Sequence, residues 1–389
     1  MQLPHRKKNW TPAAAAHYCI DTDLIDTEAV GTMDSRGKRA TLQTVADAVG
    51  VSRTTVSNAY GRPDQLNKDL RERIFEAARR LGYSGPDATA RSLRRGRAGA
   101  IGLVFTETLS YAFADPYSVG FLRGVAEVAE ASGTGLLLIP MPPAGGGDSE
   151  TAVRNAVVDG FCLYCVPKGH PAKELIRARG LPLVTTDESD DPSIPYVGID
   201  ERASARLAGE HIARLGHRRV AVMVDHVVGP GVSGPASLDE QLASDCADLR
   251  GRLAGYRDAL EEAGVDWSSV RVVAAGRNSR SASASAAAHF LDVAERPTAV
   301  LAIGDVLALG VLDACEQRGL AVGRDISVAG FDDVPEAGRA RLTTVRQPMG
   351  EKGRLAGRLL LEPPEEEKVP RIKLPTELVV RATTGPAPH

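Results

Sequence analysis

The sequence predicts a small, basic, all-α head followed by a larger α/β body built as two lobes. Three observations carry that reading. The first is charge: the 389-residue chain is net -3, yet between Lys38 and Arg97 it holds 13 Lys and Arg against 6 Asp and Glu. That segment is net +7, and residues 98–389 are left with -9. A basic module of about 60 residues on an acidic body is the asymmetry expected of a nucleic-acid reader with a separate regulatory part. The second is helical periodicity from Thr41, broken by Gly50. The third is a long alternation of short aliphatic runs with amphipathic stretches from Ala98 onward.

Composition narrows the class. At about 100–200 residues per domain, two or three domains are expected. A hydrophobic content of 43% is that of a globular chain. No apolar run approaches the roughly 20 residues of a membrane span, so no membrane partner is expected. Met1 to Trp10 is basic, but Pro12, His17 and Asp21 follow where an export signal would need apolar residues. Five cysteines, an odd and sparse set, fit a reducing cytoplasm better than a disulfide framework.

Along the chain, residues 1–40 lack sustained periodicity and read as a disordered extension, with Met33 a candidate translation start. From Thr41, Leu42, Val45, Ala46 and Val49 share one helix face, and Gly50 ends that helix. Ser52 is a suitable N-cap for a second helix, Arg53 to Tyr60, whose inward residues are Val56 and Ala59. After the loop Gly61 to Asp64, Asn67 can cap a third helix, Lys68 to Leu81. It carries Leu70, Ile74, Ala77, Ala78 and Leu81 on one side, and Gly82 stops it. Two short helices around a tight glycine turn, supported by a third, is the helix-turn-helix plan over residues 41–85. The second helix can then present Arg53, Thr54, Ser57 and Asn58 to a major groove. The bland alternative is a small bundle with a solvated basic face.

Residues 86–98 form a second basic stretch, in which Leu93 stands among Arg91, Arg94, Arg95 and Arg97. An apolar wedge at a minor-groove step with flanking cations on phosphates has this composition; so does a solvated linker. Over residues 99–389, Ile101 to Phe105, Gly135 to Ile139, Gly160 to Val166, Pro182 to Thr186, Val220 to Val224, Val270 to Ala274, Ala299 to Ile303 and Ser327 to Phe331 read as buried strands. Helices are expected at Ser118 to Ser132, Ala203 to Leu215, Asp248 to Ala263, Asp305 to Gly319 and Met349 to Leu361. Strand and helix in alternation means parallel sheets covered on both faces. Eight or nine strands suit two Rossmann-like lobes with a ligand cleft at the carboxyl ends of the strands.

The segment TLQTVADAVGVSRTTVSNAYGRPDQLNKDLRERIFEAARRLGY resembles the DNA-binding head of the lac repressor/galactose repressor (LacI/GalR) family of bacterial transcription regulators. PDATARSLRRGRAGAIGLV resembles that family's hinge helix, with Leu93 at its minor-groove leucine. The similarity continues through VDGF (158–161), VGID (197–200), LGHRRVAVM (215–223), RLAGYRDAL (252–260), PTAVLAIGD (297–305), DISVAGFDD (325–333) and LTTVRQP (342–348). The resemblance implies a helix-turn-helix domain plus a periplasmic-binding-protein-like domain of two Rossmann-like subdomains. It further implies a homodimer on double-stranded palindromic operator DNA, answering a small-molecule effector of the sugar, sugar phosphate or nucleoside class. The DNA contacts carried over are Thr41, Ser52, Arg53, Thr54, Thr55, Ser57, Asn58, Arg91, Leu93 and Arg94. The chain departs from the family at Ser57-Asn58, where Arg is common, at Gly304, where Asn is frequent, and in an enlarged loop, Gly229 to Gln241.

In the resembled proteins the residue matching Arg252 points into the cleft. A guanidinium fork suits hydroxyls or carboxylates, and such an Arg would serve the cleft rather than the fold. Asp332, at a strand's carboxyl end, can accept paired hydroxyls, whereas Asp333 reads as a turn residue. Phe113 and Asp115 stand in a loop that forms a pocket wall in the family, or in an ordinary turn; Tyr164 is a further candidate. Asp305 reads as a structural helix cap. Cys162 and Cys165 form CxxC, but strand alternation would point them to opposite faces, so both read as core thiols. Asp187 to Asp191 reads as a solvated loop. Neither a phosphate-binding GxxxxGK[ST] nor a GxSxG elbow occurs, so no enzyme, cofactor or metal is expected. A transporter's solute-binding receptor is the rival reading, and it would need an export signal and no DNA-binding head.

Overall fold

The fold is described from a computed structural model, for residues 40–85, 96–141, 146–167, 169–187, 191–362 and 369–388. It divides into two compact units, one within residues 1–95 and the other within 96–389.

The first unit holds helices Leu42–Val49, Arg53–Gly61 and Lys68–Arg80. Their ends follow from local chemistry. Thr41 and Thr44 form a reciprocal capping box, and Gly50 closes the first helix with φ 73°, a left-handed conformation that glycine adopts without cost. Val45, Ala46, Val56, Ala59, Ile74, Ala77 and Ala78 form the buried core shared by all three helices. Tyr60 packs edge-on against Phe75 at 5.1 Å and Tyr83 at 6.0 Å, extending that core with aromatic contacts. Leu81 does not join it: the helix ends one residue earlier, leaving Leu81 as a 37% exposed C-cap.

In the second unit thirteen strands form two sheets among the described residues, more than the eight or nine expected. They are β1 Ala100–Phe105, β2 Gly135–Pro140, β3 Phe161–Tyr164, β4 Leu183–Thr185, β5 Tyr196–Ile199, β6 Val220–Val224 and β7 Gly234–Pro235. Then follow β8 Arg271–Ala274, β9 Ala299–Ala302, β10 Ser327–Asp332, β11 Thr343–Arg346, β12 Arg371–Leu374 and β13 Glu377–Val379. The sheet orders are β12-β5-β4-β3-β1-β2 and β13-β11-β10-β9-β6-β8-β7. The first sheet is parallel throughout. In the second only the edge strands β13 and β7 run antiparallel. Most of the unforeseen strands are edge pieces of two to four residues, too short or too charged for a periodicity signal.

Each sheet is the spine of one lobe. Along β1, Ile101, Leu103 and Phe105 enter one hydrophobic cluster while Val104 enters the other, the period-two pattern of a strand buried on both faces. The chain passes between lobes three times: after β5, between β11 and helix Met349–Leu361, and between β12 and β13. Two helix pairs pack with almost no side chain between them. A Cβ on Gly353 would strike the Phe121 carbonyl, and one on Gly255 the Arg202 carbonyl, so glycine sets the approach of each pair.

Candidate functional site

On the head, helix Arg53–Gly61 begins at Ser52, whose hydroxyl accepts the Thr55 amide at 3.0 Å. The Ser52 and Thr55 hydroxyls are bonded to each other at 2.8 Å, so both serve the cap. Thr41 likewise caps its own helix while remaining exposed. Arg53 and Thr54 are exposed, and Ser57 and Asn58 are half-buried. Val56 and Ala59 on the same helix are buried, so packing holds this face outward. Arg91, Leu93 and Arg94 lie outside the described residues.

The body contains a cleft of about 240 Å³ between its lobes. It is lined from the carboxyl ends of β1, β3, β6, β9 and β10 and from the first turns of the helices that follow, where parallel α/β sheets place ligands. Asp115, Tyr164, Arg252 and Asp332 all line it. Asp115 caps helix Pro116–Ala131, accepting the Ser118 amide at 3.0 Å and its hydroxyl at 2.6 Å. Burial pushes the Asp115 carboxyl above its usual range, and the Ser118 bonds pull it back. Tyr164 bonds the Ser118 hydroxyl at 3.0 Å and packs on Phe121 and Phe105.

Arg252 is the centre of a buried ionic cluster. Its Nε donates to Glu201 at 2.7 Å, Nη1 donates to the Ile303 carbonyl, and Asp332 stands 3.9 Å from Nη1. The guanidinium carbon lies 3.9 Å from the centroid of the Phe331 ring. Burial works against its charge, but Glu201 and Asp332 outweigh it and hold the guanidinium protonated. Nη2 makes no hydrogen bond among the described residues, so donors remain for a ligand. The expectation that Arg252 serves the cleft rather than the fold is corrected: it is the counter-ion of two buried carboxylates.

Asp332 ends β10 with φ 119°, a backbone conformation that L-residues rarely adopt and that clusters at functional sites. Its Oδ1 accepts from Gln347 at 2.6 Å, and Gln347 accepts from the Tyr117 hydroxyl at 3.2 Å. Lys352, buried on helix Met349–Leu361, donates to Tyr117 at 3.2 Å. A chain of polar contacts thus runs from one lobe to the other through the β11 crossover.

Other expectations are corrected. Phe113 is 61% exposed and does not line the cleft. Helix Leu109–Ala114 turns Tyr111 inward, and residues two apart on a helix point roughly 200° from each other. The Tyr111 hydroxyl accepts from Asn278 at 2.8 Å, joining the lobes, while Asn278 Oδ1 is buried with no partner. Asp305 is structural but does not cap: it accepts the Val334 amide at 2.9 Å and the Thr344 hydroxyl at 2.6 Å, and burial raises its carboxyl to about 7. Asp187 is not solvated but 7% exposed, raised to about 7 by burial and by Asp248. Cys162 is core, its thiol pushed up to about 12 by burial. Cys165 lies past the end of β3 at φ 50°, where alternation no longer applies, and it lines the cleft. Asp248, missed in the sequence, also lines the cleft; its position one turn before Arg252 was the signal. Asp333, as expected of a turn residue, has φ 57° and is held by Arg346 and Arg381.

Comparison with known proteins agrees with this division. Residues 41–85 match the family described as bacterial regulatory proteins, lacI family, and residues 210–384 match the periplasmic binding protein-like domain. An HTH-type transcriptional regulator of Mycolicibacterium smegmatis is 42% identical over 90% of this chain and 97% of its own length. The lac repressor dimer bound to operator and the anti-inducer ONPF is similar in structure with a TM-score of 0.71 and 27% identity, over 90% of this chain and 100% of that one. The complex of the transcriptional regulator CelR with cellobiose has a TM-score of 0.63 and 28% identity, over 89% and 100%. No helix among the described residues is long and apolar enough to cross a membrane.

Proposed function

This chain belongs to the lacI family of bacterial regulatory proteins and is a ligand-responsive, DNA-binding transcription regulator, and we propose that it is a cytoplasmic, dimeric repressor of a palindromic operator whose effector is an uncharged polyhydroxy compound. The single observation that carries the effector class is the charge of the cleft. Glu107, Asp115, Asp225, Asp248 and Asp332 line it, against Arg252 and His226. Arg252 is already paired with Glu201 and Asp332, and His226 with Asp225 at 3.1 Å. A sugar phosphate would bring two negative charges to a wall whose cations among the described residues, Arg252 and His226, already face carboxylates. A sugar's hydroxyls instead donate to carboxylates and accept from the guanidinium.

In this reading Asp115, Tyr164, Arg252 and Asp332 hold the ligand, joined by Tyr111 and Asn278, while Gln347 fixes Asp332 from behind. Arg53, Thr54, Ser57 and Asn58 read base edges, with Arg91, Leu93 and Arg94 contributing phosphate contacts and a minor-groove wedge. Ligand binding changes the angle between the lobes and so the population able to grip DNA. Thermal shift with paired panels of sugars and their phosphates, followed by operator binding with each hit, tests the class. Free sugars should raise the melting temperature and their phosphates should not. A phosphorylated hit that also alters operator affinity overturns it.

A further inference from the structure

At one end of the cleft, Cys165, Asp187 and Asp248 converge. One ligand atom from each, a thiol sulfur and two carboxylate oxygens, lies within 4.8 Å of the others. They come from different parts of the fold: Cys165 from the end of β3, Asp187 from just past β4, and Asp248 from the first turn of helix Ala247–Glu262 in the other lobe. Asp187 is 7% exposed, and only its Oδ2 is bonded, accepting the Val166 amide at 2.6 Å. Its Oδ1, the Cys165 sulfur and the Asp248 carboxylate make no hydrogen bond or ion pair among the described residues. A cavity of about 280 Å³ opens beside them, and Cys246 also lines it.

Asp187 is buried and Cys165 and Asp248 are half-buried, and two carboxylates held this close repel each other unless something positive lies between them. Lys352 is a buried cation that interacts with both Cys165 and Asp248, and it donates to Tyr117. Lys352 and Lys173 both act on Asp187 and offset part of the carboxylate charge, and a divalent ion would supply the rest as it takes up Cys165 as a thiolate. We propose that Cys165, Asp187 and Asp248 bind a borderline-soft divalent metal, Zn²⁺ by its chemistry, bridging the two lobes. Sulfur and carboxylate oxygen together suit Zn²⁺ rather than Mg²⁺ or Ca²⁺, which take oxygen alone. Ligands of a tetrahedral zinc stand about 3.3–3.8 Å apart, so the set closes by about an ångström on binding. The Cys165 thiol releases its proton to solvent as the metal–sulfur bond forms. The fourth position faces the cavity, open to water or to a ligand oxygen. Cys165 and Asp248 also line the effector cleft, so the charge argument for an uncharged effector applies to the metal-free protein, whereas the metal test below needs no effector.

The test uses the untagged full-length protein, stripped with a chelator and titrated with Co²⁺. The parent should develop thiolate-to-cobalt charge-transfer absorption in the near ultraviolet, which Zn²⁺ then abolishes by displacement. Cys165→Ser should lose the band, and Cys315→Ser, altered in the core of the other lobe, should keep it. Outer-shell partners alone are worth about 10–100-fold in metal affinity, so Asp248→Asn, which replaces a ligand, should weaken Co²⁺ binding by at least about tenfold. Asp248→Asn should also lose the rise in melting temperature that Zn²⁺ gives the parent, a reading that stands even where Cys165→Ser folds poorly. Absence of the band in the parent, its survival in Cys165→Ser, or an unchanged Co²⁺ affinity in Asp248→Asn overturns the site.

Discussion

The head and the cleft both expose polar side chains for recognition, but they hold them by opposite means. On helix Arg53–Gly61 the outward residues bear little load: Arg53 and Thr54 are exposed, and Val56 and Ala59 behind them supply the packing. In the cleft the side chains that line it also carry buried charge pairs within one lobe and a polar link to the other. Arg252 joins Glu201 to the Ile303 carbonyl and to Asp332, and Gln347 joins Asp332 to Tyr117. A DNA-reading surface can therefore change its residues at small cost to the fold. A cleft built from buried charges cannot, because each removal leaves a partner uncompensated.

Arg252→Ala tests this contrast with the largest expected effect. It strands Glu201 and Asp332, and breaking a buried pair typically costs about 3–5 kcal/mol. The body should melt markedly earlier and operator binding should stop answering the effector. A variant that melts like the parent would show that the cleft resembles the head after all.

Arg53→Ala is the counterpart on the other side. Stability should change by no more than about 0.5 kcal/mol, since nothing buried depends on it. Operator affinity should fall about tenfold, measured at one fixed salt concentration. Ser52→Ala lies between the two kinds. Its hydroxyl caps the helix and is exposed beside Arg53 and Thr54, the proposed reading face, so the head should lose about 1 kcal/mol by denaturant unfolding. An unchanged midpoint would mean that Thr55 caps alone.

Phe113→Ala and Tyr111→Phe sharpen the comparison within one short helix. Phe113 is exposed, so its loss should leave both melting and effector response unchanged. Tyr111→Phe removes the acceptor of an interlobe hydrogen bond worth about 1 kcal/mol and should weaken the response. Equal effects of the two substitutions would refute the helix orientation.

The sequence by itself determined the longer elements and the kind of protein. Helix Met349–Leu361 has the bounds its periodicity predicts, and Gly50 ends the first helix as its position requires, because periodicity, caps and glycine turns act within a few residues. The charge step near residue 97 and the ordered family motifs are also sequence properties, and with them came Asp115, Tyr164, Arg252 and Asp332. Only the tertiary structure decided what those residues are bonded to. That Arg252 is the counter-ion of Glu201, 51 positions away, or that Asp187 is buried beside Asp248 from the other lobe, depends on how two sheets are juxtaposed. The facing of Tyr111 over Phe113 turned on the pitch of one six-residue helix, too short for a periodicity signal. Burial and charge pairing between segments far apart in the chain are set by packing, and no window of neighbouring residues contains them.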